Sequence, residues 1–208
     1  LALYWGIKAK TSLLSLLVMF LSSAAALLPT HLLQILLHWV HDATVLSHID
    51  HLSLYINSFI IAGLTEEGCK VCTFMLTTSY MRRLSVMRNR TAASSYQLWI
   101  LALYFGFVFS GFENIAYGIR YPQFQLLRLC STSVLHGALG CFYLKITQTP
   151  TRFAAAGLFS SVVLLHGLYN FFAALGGWFM LPALAVIGFA CMSSIDSLQK
   201  MIAPKHST

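Results

Sequence analysis

The chain has 208 residues, of which 58% are hydrophobic and 9% charged, against roughly 25% charged in an average soluble domain; with a mean hydropathy of +0.73, a soluble globule is excluded. A formal net charge of +7 would suggest nucleic acid in a soluble protein. Here the basic residues gather in short loops between apolar runs, where they orient a membrane protein, and no nucleic-acid role is implied.

The apolar runs recur along the whole chain, and several reach the roughly 20 residues that span a bilayer. The expected fold is all-α, a polytopic membrane protein of about six transmembrane helices. The first run, from about Thr11 to Leu28, comes after Lys8 and Lys10; its length and the spans after it read as a transmembrane helix rather than a signal peptide. The chain begins at Leu1 rather than methionine, which leaves room for natural sequence before it. From Pro29 to His51 the sequence is amphipathic, with His31, His38, His41, Asp42, His48, Asp50 and His51, and reads as an interfacial segment. Its His38-x-x-His41 is read as solvated rather than as a metal site. A second span covers Leu52 to about Tyr80 and leads to a loop with Arg82, Arg83, Arg88 and Arg90. A third runs from Gln97 to Ile119, Tyr121-Pro122 marks a turn, and a fourth runs from about Phe124 to Ile146, ending near Lys145, Pro150 and Arg152. The fifth covers Phe153 to Leu175, Gly176 and Gly177 break it, and the sixth runs from Trp178 to about Asp196, with Lys200 and Lys205 behind it.

Six crossings put both termini on one side. Ten basic residues (Lys8, Lys10, the four loop arginines, Lys145, Arg152, Lys200 and Lys205) then lie inside against Arg120 and Arg128 outside, with Lys70 within the membrane. The expected location is a plasma or inner membrane with both termini cytoplasmic. With no repeat or linker, residues 1–208 read as a single membrane domain: an N-terminal span and interfacial segment over 1–51, a core over 52–175 and a C-terminal span over 178–196. The five cysteines (Cys69, Cys72, Cys130, Cys141, Cys191) all lie in apolar runs and read as small apolar packing residues, without a disulfide framework.

All three glutamates of the chain, Glu66, Glu67 and Glu113, sit inside membrane runs, where a charge costs several kcal/mol and tends to mark a pathway or a site. Lys70 stands one turn from Glu66, at the spacing of an i,i+4 ion pair. His136 and His166 are also in mid-span, with Asn170 one turn after His166; Phe109 stands one turn before Glu113 and Asn114 beside it. Counted along helices rising ~1.5 Å per residue from the cytoplasmic span ends, Glu66 lies at ~21 Å, Glu113 at ~24 Å, His136 at ~15 Å and His166 at ~20 Å. Four helices are thus expected to deliver polar groups to one layer. Small residues around it (Gly63, Gly68, Gly111, Gly118, Gly137, Gly140, Gly167) allow close helix approach.

The set Glu66-Glu67-x-x-Lys70, Phe109-x-x-x-Glu113-Asn114, His136 and His166-x-x-x-Asn170 resembles the PrsW intramembrane proteases, relatives of the CAAX prenyl endopeptidases and the bacteriocin-processing membrane proteins. The match covers Leu52 to Leu175. Glu113 stands where the wider superfamily usually has histidine, and Lys70 where it has arginine; both favour the PrsW branch. The resemblance implies a four-helix catalytic core and hydrolysis of a peptide bond in a membrane-tethered protein, anti-sigma factors being the associated substrates. Membrane lipids and such a substrate are the partners it implies.

Amide hydrolysis needs an activated water and a group to stabilise the oxyanion, and no serine or cysteine of the chain has a visible base. The favoured assignment makes Glu66 the base, Glu67 its partner or a structural acceptor, and Lys70 the charge that holds the pair; His136, His166 and Asn170 polarise the carbonyl. In this form no cofactor is needed. The alternative sets zinc on Glu113, His136 and His166, with Glu66 still the base. Two other classes stay open: a proton- or cation-coupled transporter using the same residues, and a non-catalytic scaffold in which they only join helices.

Overall fold

A computed structural model describes residues 11–44, 48–87, 94–120 and 125–202; Lys8, Lys10, Arg88, Arg90, the Tyr121-Pro122 turn and Lys205 lie outside the described residues. The fold is all-α, with no strand among the described residues.

Helix α1 (Leu13–Asp42) starts at a Ser12 cap that accepts the Ser15 N–H at 3.1 Å. Its buried residues Leu16, Met19, Ser23, Ala26 and Thr30 recur at alternating spacings of three and four, which keeps one stripe against its neighbours while Leu13, Leu28, Leu36 and Trp39 point outward. The helix runs through Pro29, and this corrects the expectation of a span ending at Leu28 with an interfacial segment after it. In lipid, an unwound backbone leaves several polar groups unpaired, a larger cost than the hydrogen bond that one proline removes. Thr30 Oγ1 also donates to the Ala26 carbonyl at 2.8 Å. His41 at its far end is buried and 3.0 Å from Ser53 Oγ; His38 is exposed.

Helix α2 (Asp50–Tyr55) continues without a break into a π-helical segment, Ile56–Leu64, and then into α3 (Thr65–Met87). Helices α4 (Ser95–Arg120), α5 (Gln125–Gln148) and α6 (Arg152–Leu175) come next. After α6 the chain turns at Gly176 and Gly177, whose φ of 66° and 53° suit glycine, through a 3-10 turn, Gly177–Phe179, into α7 (Met180–Ile202). Among the described residues five stretches are long and apolar enough to cross a membrane: Leu13–Asp42, Ser95–Ile119, Leu126–Gln148, Arg152–Leu175 and Gly177–Lys200. The stretch from Asp50 to Met87 is long enough to cross, but Glu66, Glu67, Lys70, Arg82 and Arg83 make α3 more polar than the others. The chain is a polytopic membrane protein.

Two backbone approaches set the geometry of the interior. A Cβ on Gly106 would stand 2.0 Å from the His136 carbonyl oxygen, and one on Gly140 would stand 2.2 Å from that of Ala102, so α4 and α5 touch backbone to backbone, as small residues allow in membranes. On the other side α6 lies against the π segment, where a Cβ on Gly63 would be 3.2 Å from the Val163 carbonyl oxygen. Phe105 packs edge to face on Phe74 and Tyr143, which are tilted on each other; the centroids are 5.6 to 6.3 Å apart and the three rings hold α3 to α4 and α5. The five cysteines are free; Cys141 is buried, whereas Cys72 and Cys130 face outward.

Candidate active site

Glu66, Glu67 and Lys70 occupy the first turns of α3, immediately after the π segment. A π segment advances the chain by more than 3.6 residues per turn and so rotates the helix beyond it; such segments are frequent at functional sites. In this chain the rotated residues are the diglutamate, turned inward: Glu66 is 5% exposed, and Glu67 and Lys70 0%.

Glu67 is the centre of the cluster. Its Oε1 lies 2.5 Å from Lys70 Nζ and 2.7 Å from His166 Nδ1, and its Oε2 accepts a 2.5 Å hydrogen bond from Tyr143. Lys70 therefore pairs more closely with Glu67 than with Glu66, whose Oε2 is 3.6 Å away. The ammonium also stands 3.1 Å from His136 Nδ1 and 4.3 Å from the centre of the Phe109 ring, a cation–π distance.

These contacts fix the tautomer of His136. A lysine ammonium can only donate, so Nδ1 accepts and Nε2 carries the proton; Nε2 lies 3.0 Å from Glu113 Oε2 and donates to it. The other oxygen of Glu113 is held by Arg128 Nη2, whose guanidinium stacks 4.0 Å from the Tyr117 ring. Arg128, expected on the outer side of the fourth span, pairs here with Glu113. It sits at the start of α5, and its long stem carries the charge inward to the only carboxylate within reach among the described residues.

Glu66 is held differently. Its Oε1 accepts from Gln34 Nε2 of α1 at 2.9 Å. Its Oε2 is buried without a hydrogen-bond partner, 3.6 Å from Lys70 Nζ and 3.7 Å from His166 Nε2. The rings of His136 and His166 stand edge to face with centroids 4.9 Å apart. Three carboxylates (Glu66, Glu67, Glu113) thus face Lys70 and Arg128.

One donor atom each from Glu66, His136 and His166 lie within 4.8 Å of one another, close enough to hold a metal ion. This differs from the expected set, in which Glu113 took the place of Glu66. Glu113 is turned to His136 Nε2 and Arg128 instead.

The structure thus brings Glu66, Glu67, Lys70, Phe109, Glu113, His136 and His166 together. Asn114 is not among them: its amide donates to Ser110 and Thr132 at 3.0 and 2.9 Å and clamps α4 to α5. Asn170 is half-buried and bonds none of these side chains among the described residues. Three contributors escape a reading by motif. Tyr143 lies seven residues, close to two turns, from His136 along α5, and Gln34 continues the buried stripe of α1 after Thr30; Arg128, eight residues from His136, is about 80° off that line and carries no such signal. Comparison of the chain with family models, curated proteins and solved structures gives no match.

Proposed function

We propose that this chain is an intramembrane endopeptidase of the PrsW type that hydrolyses a peptide bond of a membrane-tethered protein with water activated by Glu66. The observation that carries the reading is Glu66 itself. One of its oxygens is fixed by Gln34, while the other is buried, unbonded and within 4 Å of both an ammonium and an imidazole nitrogen. A scaffold glutamate would have both oxygens satisfied, as Glu67 has.

In this mechanism Glu66 Oε2 takes a proton from water as the water oxygen attacks the scissile carbonyl carbon. His166, donating Nδ1–H to Glu67, supports the oxyanion from Nε2–H in its doubly protonated form. The proton on Glu66 then passes to the leaving nitrogen, and the C–N bond breaks. Both nitrogens of His136 are engaged, by Lys70 and by Glu113, so polarising the carbonyl falls to His166, with Asn170 one turn further along α6. Glu67 and Lys70 are positioning groups.

A metal-assisted version rests on the Glu66, His136, His166 set. A cation on His136 would have to displace Lys70 from Nδ1 or Glu113 from Nε2 and lie near a buried ammonium. The metal-free form is therefore the better supported. The location proposed is a plasma or inner membrane with cytoplasmic termini, on the loop charges.

The test is Glu66→Gln in detergent-purified protein, assayed on fluorophore-labelled casein and on single-span membrane peptides. Retained folding with activity lowered by about 100-fold or more is the expected result for loss of a general base. Undiminished cleavage by a folded variant would overturn the assignment. Stoichiometric zinc in wild type, lost from Glu66→Gln and His166→Ala, would turn the reading to the metal-assisted form.

A further inference from the structure

The stretch that carries the diglutamate, histidine and asparagine motifs begins after α1, yet one side chain of α1 enters the cluster. We infer that Gln34 is a positioning residue of the reaction, holding Glu66 so that a single oxygen, Oε2, is presented to water; the inference rests on Glu66 being the base.

The buried stripe of α1 runs Leu16, Met19, Ser23, Ala26, Thr30 and reaches His41 at the far end. Gln34 and Leu37 are the only residues between His31 and Val40 that turn even partly inward. Ser23 ties the first half of the helix to α4 through a 2.9 Å bond from its hydroxyl to the Phe105 carbonyl oxygen. The second half is among exposed leucines and isoleucines, and Gln34 is its polar contact with Glu66, at 2.9 Å from Nε2 to Oε1. The other end of the amide, Oε1, lies 3.3 Å from His31 Nδ1. An imidazole N–H donated there fixes which end of the amide faces the carboxylate, since only the NH₂ end can donate.

The consequence is chemical. A carboxylate free to turn about its Cγ–Cδ bond can swing its plane until neither oxygen faces the imidazole. With Oε1 engaged, the remaining oxygen faces His166 Nε2 and Lys70 Nζ. A neutral donor does this without adding a second positive charge beside Lys70.

The experiment compares Gln34→Ala, Gln34→Glu and Glu66→Gln by cleavage of labelled casein, and by labelling with dicyclohexylcarbodiimide, an apolar reagent for buried protonated carboxyls, read residue by residue in the mass spectrometer. Gln34→Ala is expected to lower kcat roughly 10- to 100-fold, the range of a hydrogen bond to a charged group, with KM little changed. It is also expected to speed labelling of Glu66 at pH 7 while Glu67 and Glu113 label as in wild type. Gln34→Glu is expected to regain activity relative to wild type as pH falls from 8 to 5, because the introduced carboxyl can donate only when protonated. Equal kcat and equal Glu66 labelling in wild type and Gln34→Ala would overturn the inference even if Glu66→Gln is inactive. Full activity of Glu66→Gln would instead overturn the assignment of Glu66 as the base; the labelling comparison would still decide whether Gln34 controls that carboxyl. Faster labelling of all three glutamates together would mean that Gln34 only holds α1 in place.

Discussion

At the scale of single residues, the two adjacent glutamates separate stability from chemistry. Glu67 has three partners and lies with Lys70 fully out of contact with solvent. Glu67→Ala leaves that ammonium without its 2.5 Å partner and is expected to cost roughly 3–5 kcal/mol, the size of breaking a buried ion pair. The loss of helical signal on heating in detergent measures it. Glu66→Gln, one residue away, changes a side chain with a free oxygen and is expected to leave that midpoint within a few degrees of wild type. Tyr143→Phe tests the same centre gently: it keeps the ring packed on Phe74 and Phe105 and removes only the hydroxyl that donates to Glu67. A loss of about 1.5–3 kcal/mol is expected, and an unchanged midpoint would mean that Lys70 and His166 satisfy the carboxylate alone. Much of this centre is legible in the sequence, because charged residues in apolar runs are conspicuous and their depth can be counted along a helix. The partners of each glutamate are not. Tyr143 and Gln34 are ordinary residues until the azimuth of each helix is known, and a rotation of one residue position, about 100° at 3.6 residues per turn, decides whether they face the site.

At the scale of elements, the site depends on how closely α4 and α5 approach, because Glu113 rides on one and His136 on the other. Gly106→Ala and Gly140→Ala would bring a methyl to 2.0 and 2.2 Å from backbone carbonyl oxygens, which no side-chain movement relieves. The helices must part, at a cost of roughly 1–3 kcal/mol or somewhat more, and the 3.0 Å contact of Glu113 with His136 lengthens. Gly111→Ala and Gly157→Ala meet nothing within 4 Å and are expected to be neutral; thermal midpoints of the four variants check the contrast. Equal midpoints across the set would mean that α4 and α5 pack more loosely than this. The helices themselves are readable from hydropathy to within a few residues, since the bilayer length constrains them. Two local features are not. Pro29 reads as a boundary, yet the apolar residues on both sides of it favour a continuous helix in lipid. The π segment Ile56–Leu64 has no composition of its own, and its consequence, the inward turn of the diglutamate, emerges only from packing of Gly63 and Gly167 between α6 and the segment.

At the scale of the whole molecule, the orientation in the membrane decides where a substrate is cut. Alternating crossings by α1, the stretch from Asp50 to Met87, α4, α5, α6 and α7 would put Ser94 and Thr149 on one side and Thr44 and Trp178 on the other. Arg82, Arg83, Lys145 and Arg152 flank the first pair, so that side is expected to be cytoplasmic. With the five cysteines replaced by alanine, Ser94→Cys and Thr149→Cys should react with a membrane-impermeant maleimide only after the cytoplasmic face is opened, and Thr44→Cys and Trp178→Cys in intact cells. The reverse pattern would invert the protein, and a split between Ser94 and Thr149 would remove a crossing. The helix ends then give the depth. At ~1.5 Å per residue, Glu113 lies ~10 Å and His166 ~14 Å from the outer ends of α4 and α6, while Arg128 lies within a turn of the outer end of α5. On that orientation Glu113 and His166 would lie nearer the outer face than the cytoplasmic one. A tethered substrate is therefore expected to be cut between the midplane and the outer surface, with the new N- and C-terminal ends, read by mass spectrometry, mapping to that half of its span.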